Sequence, residues 1–304
     1  MKWLTEGKYT PGYLNNIVNT VKKFFTFVEV NKTYQIGWVS KYATLDEYSA
    51  VVSKMSTFLS KKDRERKVIN DDETGLDTID KEAWNGYEES QCWKDCLDDI
   101  KRFQENPSTD VPHERHVYLR NQLLLSIVLL NFRRAGDLSN FNLDEFRRGK
   151  LIDGDMVCTV RMHKTKKKGA APISMSIAQY NAVKDYITFV RPSFKPRAKQ
   201  LAVFVNSRGK LIGASGIAKY IREAWSTYST ELSRDIGGIS TTRVRRSAVT
   251  VTRQAMTTNE EQVIVAGGMC HDVEVANNVY DRSGQKEKGQ KASRIVTAAL
   301  KKVL

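Results

Sequence analysis

The chain has 304 residues, 40% of them hydrophobic, and carries 49 Lys and Arg against 35 Asp and Glu, a formal net charge of +14. This composition excludes a chain that is disordered throughout, and at about 100–200 residues per domain the length suggests two domains. The charge is one-sided: residues 1–110 hold 16 basic and 19 acidic side chains, whereas residues 111–304 hold 33 and 16. Positive charge concentrated in one part opposes the compaction of that part. It points to a polyanionic partner, DNA or RNA ahead of a membrane surface. The longest apolar run, residues 123–130 (LLLSIVLL), is too short to cross a bilayer and reads as a core helix. The first six residues contain no apolar leader, so the reading expects no membrane partner and an intracellular protein.

Along the chain, Thr10 followed by Pro11 predicts a helix start, with Ile17, Val21, Phe24, Phe25 and Val28 at helical spacing. A second helix is expected over about 45–59. Residues 61–67 (KKDRERK) read as a solvated helix end or loop, and the acidic residues 70–80 as exposed. A helix over 90–103 precedes the segment 106–112 (NPSTDVP), which has a linker's composition and falls where the charge changes sign. Domains are therefore expected at 1–106, small and helical, and at 107–304.

In the second part, a strongly apolar helix over about 115–131 runs into Arg133 and Arg134. Two β-prone runs, 156–162 and 171–175, flank the basic turn 163–169 (HKTKKKG) and predict a hairpin with a charged tip. Further helices are expected over 177–190, 215–228, 242–256, 260–266, 273–280 and 290–304, with a strand at 201–205. The fold class is mostly α with a small antiparallel sheet. The cysteines, Cys92, Cys96, Cys158 and Cys270, are too few for a disulfide framework and read as reduced thiols. Cys92 and Cys96 with His113 and His116 lie outside zinc-finger spacing, so two helix cysteines are the expected reading and no metal is assigned.

Four places depart from ordinary folding sequence: Arg134 with Asp137 after the apolar helix, Lys164 at the hairpin tip, Thr242 through Arg246 opening a helix, and His271 nine residues before Tyr280. Arginines at a helix start are locally unfavourable because they oppose the positive end of its dipole. Taken singly, each place has a plain structural explanation. In this order along the chain they resemble the tyrosine recombinase (integrase) family. The match covers residues 110–285 or so, and its wording resembles eukaryotic mobile-element recombinases of the Crypton type.

The resemblance implies a helical core-binding domain followed by a mixed α/β catalytic domain. It also implies site-specific cleavage and rejoining of double-stranded DNA through a 3′-phosphotyrosine, without metal, nucleotide or other cofactor. On it, Arg134 and Arg245 clamp the phosphate, His271 donates a further hydrogen bond, Tyr280 attacks phosphorus, and Lys164 protonates the leaving 5′ oxygen, with Lys166, Lys167 and Lys168 as competitors for that role. Thr242 stands where the family has His or a larger polar residue; a hydroxyl donates to phosphate but exchanges no proton near pH 7. Asp137 stands for Glu, and Cys270 for Gly. Arg161, Lys166, Lys167, Lys168, Arg208, Lys210, Arg243 and Arg246 are expected to meet DNA phosphates. The family works as tetramers, for which residues 290–304 offer an apolar stripe, and a eukaryotic member would be nuclear. Two alternatives stay open, a catalytically inactive DNA-binding relative and a type IB topoisomerase-like enzyme.

Overall fold

A computed structural model describes residues 9–31, 44–73, 78–107, 111–162, 169–255 and 258–269. Cα packing divides the chain into two compact units, one comprising Met1–Leu76 with Gly284–Leu304 and the other Asp77–Ser283. Among the described residues the first unit is a pair of helices, α1 (Pro11–Val30) and α2 (Leu45–Glu73). Thr10 caps α1 by accepting the Tyr13 N–H, with Pro11 at the first position, as the sequence predicts. Polar contacts cross between the helices beside the stacked rings of Phe25 and Tyr48: Asn15 donates to Ser60 Oγ at 3.0 Å, Ser56 donates to Asn15 at 3.0 Å, and Ser49 donates to Glu29 at 3.0 Å. Helix α2 continues through the run 61–67, where a solvated end or loop was expected. Lys62 pairs with Glu65 and Arg66 with Asp63 one turn apart, so opposite charges at helical spacing let the helix continue.

The second unit is built around α5 (His113–Asn131), which is buried on nearly all sides. A helix buried in this way belongs in the middle of a core, and it takes the polar Arg120, Asn121 and Gln122 in with its leucines. Before it in the chain come α3 (Lys81–Gly86), a 3₁₀ turn (Tyr87–Glu89) and α4 (Gln91–Glu105), and after it α6 (Ala135–Asn140), α7 (Leu143–Arg147) and the sheet β1 (Lys150–Ile152), β2 (Asp155–Val160) and β3 (Ala171–Met175); of these, α4 and β3 pack against it. Then follow α8 (Ile177–Asp185), a π turn (Tyr186–Val190), a 3₁₀ turn (Arg191–Phe194), α9 (Ala214–Glu231), α10 (Thr241–Ala255) and α11 (Asn259–Gly268). The sheet is antiparallel in the order β1-β2-β3, with Cys158 opposite Ile173 and Val160 opposite Ala171. Those four side chains are buried on one face, the alternation expected of a half-covered hairpin. The predicted strand at 201–205 appears only as single bridges, Asn142 with Ala202 and Val205 with Leu211. Among the described residues no helix is long and apolar enough to cross a membrane.

The packing division does not fall at the expected 106/107 boundary. Helix α4 buries Cys92, Trp93, Cys96, Ile100 and Phe103 in the same core as Leu119, Leu123 and Ile127 of α5. The residues before the Pro-containing segment therefore belong with those after it. Cys96 is fully buried, its Sγ 3.8 Å from the Leu119 carbonyl, and burial raises both this thiol and Cys92, the latter to about 12. His116 turns away from them, and its Nε2 lies 2.5 Å from the Val190 carbonyl.

Burial lowers the His116 pKa from 6.5 to about 4, more than the Val190 carbonyl raises it. The folded ring therefore stays neutral in a range where the unfolded ring takes up a proton. Stability is full above about pH 6.5 and falls as the pH drops toward 4. Denaturant titrations should show this group removing about 2 kcal/mol between pH 7 and 5. His116→Gln should lose that part of the slope, and a variant with the wild-type pH dependence would refute the assignment.

Candidate active site

Helix α5 ends in an unusual turn. Phe132 adopts left-handed backbone (φ 54°) while its N–H still bonds the Val128 carbonyl. A non-glycine residue in that region marks a strained, enforced reversal. The turn redirects Arg133 and Arg134 out of the helix axis and starts α6, where Asp137 Oδ2 accepts the Arg134 N–H at 3.2 Å. Asp137 is buried and Arg134 half-buried. The Asp137 carboxylate thus fixes the backbone of Arg134.

Helix α10 supplies the second arginine. Val244, Ala248 and Val249 pack inward, which carries Arg245 inward too, leaving it 1% exposed. Its guanidinium donates to the Phe132 carbonyl at 2.5 Å through Nη1 and to the Met269 carbonyl at 3.0 Å through Nη2. Arg133, also buried, donates through Nη2 to the Gly268 carbonyl. Two cations thus hold the last carbonyls of α11, where the helix dipole is negative. Ala248, Val249, Ala266 and Met269 form a small apolar cluster beside them, with Phe132 and Trp84 against it.

Three chain segments far apart in sequence therefore meet at one place: the end of α5, the first turns of α10, and the end of α11. The residue two after Phe132 is Arg134, and the residue two after Met269 is His271. Lys164, Lys166, Lys167, Lys168, Cys270, His271 and Tyr280 lie outside the described residues.

The remaining predicted residues divide by environment. Thr242 is exposed in the first turn of α10, and Arg246, one turn on, is half-buried. Arg243 directs Nη2 to the Thr78 carbonyl at 2.8 Å and Nη1 to the Gly238 carbonyl, so in this structure its guanidinium closes backbone groups. Arg161, Arg208 and Lys210 are exposed.

No protein-family model and no curated protein matches the chain. Among solved structures, the XerH site-specific recombinase bound to palindromic difH substrate, a post-cleavage complex, is similar at 13% identity with a TM-score of 0.47, over 71% of this chain and 52% of that one. The same recombinase in a pre-cleavage complex gives 14% identity and 0.43, over 65% and 50%. The XerA recombinase gives 15% and 0.37, over 90% and 98%. All three carry the name recombinase. The chain spans about half the length of the XerH chain it matches.

Sequence reasoning missed three participants. Arg133 reads only as a cation at the end of the apolar helix, and neither Phe132 nor Ser247 is singled out by the sequence. Ser247 is buried; its Oγ accepts the Ile79 N–H at 2.7 Å and donates to the Arg243 carbonyl at 2.9 Å. With Arg243 on Thr78, it fastens residues 78–79 to α10. Ser247→Ala leaves a buried N–H unpaired and should cost about 1–3 kcal/mol in chemical unfolding. A loss well under that range would show that another acceptor takes its place.

Proposed function

We propose that the protein is a tyrosine recombinase-type enzyme that cleaves and rejoins double-stranded DNA through a 3′-phosphotyrosine. One observation supports the reading: Arg245 ties the ends of α5 and α11 together, and Arg134 and His271 follow Phe132 and Met269 by two residues in the sequence.

In this reading Arg134 and Arg245 neutralise the charge that gathers on the non-bridging oxygens as the phosphate becomes five-coordinate. A guanidinium offers five N–H donors in a planar fork and stays ionised, so it can hold carbonyls and still bond a phosphate oxygen. His271 adds a donor. The Tyr280 oxygen attacks phosphorus, the bond to the 5′ oxygen breaks, and that oxygen takes a proton from Lys164 or a neighbouring lysine of the hairpin tip. The phosphodiester energy is kept in the new ester, and a 5′ hydroxyl reverses the step without an added energy source. Thr242, exposed beside Arg245, serves as a hydrogen-bond donor to phosphate and takes no part in proton transfer. In strand exchange the protein acts as a tetramer on DNA, and in a eukaryotic host it is nuclear and of mobile-element origin.

The test is incubation of the full chain with a nicked duplex carrying its site, followed by denaturing electrophoresis. A protease-sensitive covalent adduct at the 3′ phosphate is expected. Stable binding with no adduct would instead favour the inactive DNA-binding relative. Relaxation of supercoiled plasmid without exchange between two duplexes would favour the topoisomerase-like reading.

A further inference from the structure

The lysine-rich stretch 163–168 joins β2 to β3 in the sequence, and two buried polar side chains from outside the sheet grip the backbone of that hairpin. The first is Asn131, the last residue of α5, which is 7% exposed. Its Oδ1 accepts the Ser174 N–H at 2.6 Å, and its Nδ2 donates to the Ser174 carbonyl at 2.8 Å and to the Ile127 carbonyl of its own helix at 3.0 Å. Strand β3 lies at one edge of the sheet, and the amide stands in for a further strand at Ser174. The acceptor and both donors of the amide are engaged, so its orientation is fixed. A carboxylate in its place would face two carbonyls, and a hydroxyl has only one proton to give. Ser174 Oγ in turn donates to Asp155 Oδ2 at 3.0 Å, which ties the start of β2 to the same anchor.

The second is Glu145 of α7, also buried. Its Oε2 accepts the Asn142 N–H at 3.2 Å and completes the cap of its own short helix. Its Oε1 accepts the Arg161 N–H at 2.9 Å. Arg161 directly follows β2 and stands three residues before Lys164. Capping α7 does not require this second contact, and a buried carboxylate is costly unless such donors meet it.

Asn131 and Glu145 bracket the segment that contains Phe132, Arg134 and Asp137. The stretch that carries the first arginine therefore also holds both strands of the hairpin, one at Ser174 and the other just past its end at Arg161. At about 3.3 Å per residue, the end of β3 at Ala171 lies roughly 10 Å from the anchor at Ser174, so a tilt of about 6° there moves the strand end by about 1 Å. A misplacement of that size is enough to cost a positioned reaction about 10²-fold.

We infer that Asn131 and Glu145 are positioning residues for proton transfer to the leaving 5′ oxygen: they fix the hairpin, and with it the lysine that serves as acid, relative to the phosphate at Arg134. The inference rests on the reading as a cleaving enzyme. In the step concerned, the bond from the Tyr280 oxygen to phosphorus forms, the bond from phosphorus to the 5′ oxygen breaks, and the lysine ammonium gives that oxygen its proton. Neither Asn131 nor Glu145 gives or takes a proton.

The experiment is single-turnover cleavage by the full chain of two nicked duplexes, one with the ordinary phosphodiester at the cut and one with sulfur in place of its 5′ bridging oxygen. A thiol ionises near about 8.5 and departs as the thiolate, whereas an alkoxide needs a proton to leave. Asn131→Ala and Glu145→Gln, each confirmed as folded by circular dichroism, should cleave the oxygen duplex about 10–10²-fold more slowly than the wild type and the sulfur duplex within about twofold of it. Arg134→Ala should be slow on both, because it acts on the phosphate. Glu145→Gln keeps the side chain's volume and one acceptor, and it decides the matter if Asn131→Ala does not fold. Variants equally slow on both duplexes, or as fast as the wild type on the oxygen duplex, would overturn the inference and leave the cleavage reading in place. A wild type that forms no adduct with either duplex ends the cleavage reading, and the inference with it.

Discussion

Tyr280→Phe is expected to abolish the covalent DNA adduct, lowering its rate of formation by at least about 10⁴-fold, with the salt dependence of DNA binding retained. The substitution removes one oxygen and little else. Phenylalanine keeps the ring's volume and apolar area but has no atom able to form an ester with phosphorus. An ordinary phenol titrates near 10, so at neutral pH the nucleophile is mostly protonated, and cations around the phosphate favour the ionised form. The wild-type adduct rate should accordingly rise with pH over the neutral-to-alkaline range until the leaving-group acid loses its proton. Single-turnover cleavage of a nicked duplex, quenched in detergent and scored by gel, measures all of this. An adduct that persists in Tyr280→Phe would place the nucleophile on another residue and end the assignment of the last motif.

The parts of the molecule legible in the sequence are those governed by local rules. The cap at Thr10 and Pro11, the all-round apolar stretch of α5 and the alternation of β2 and β3 each leave a periodic or positional mark that survives without tertiary context. The candidate site reads in the sequence as an order of motifs, which carries no geometry. Nothing in Arg245 announces that its first partners are the carbonyls of Phe132 and Met269, because a backbone acceptor has no side-chain identity to read. For the same reason Arg133 looks like a helix-end cation until the Gly268 carbonyl is found against it. The packing of 90–105 was hidden on a different ground. Charge and proline content mark a solvent-facing segment, but Trp93, Cys96 and Ile100 join the α5 core through apolar burial, which formal charge does not report. Helix α2 likewise outran the expected end near 59, since ion pairs at i and i+3 sustain a run of charges that composition alone assigns to a loop.

The second large effect concerns Arg245, where stability and chemistry should separate. Arg245→Ala leaves two buried carbonyls without their cationic donor and opens a side-chain-sized void beside Ala248 and Phe132. The expected cost is about 2–4 kcal/mol of unfolding free energy. Much of the damage should fall on α11, whose last carbonyls it holds, so protection of the amides in 259–269 from hydrogen exchange should drop before that of α5. Arg245→Lys tests the other role. An ammonium keeps the charge but is a single point, unable to span Phe132 and Met269 and unable to present a fork to two oxygens. It should fold, retain a smaller part of the clasp, and cleave saturating DNA about 10²–10³-fold more slowly, as expected when one pre-aimed donor to a developing oxyanion is lost. Both rates are to be compared at a temperature where each variant is fully folded by circular dichroism, so that loss of native protein does not enter the ratio. Arg245→Lys cleaving at the wild-type rate would leave Arg245 as a structural clasp alone. The phosphate would then have to be held by Arg134 with a different partner, and Arg246, half-buried one residue further along α10, is the side chain to substitute next.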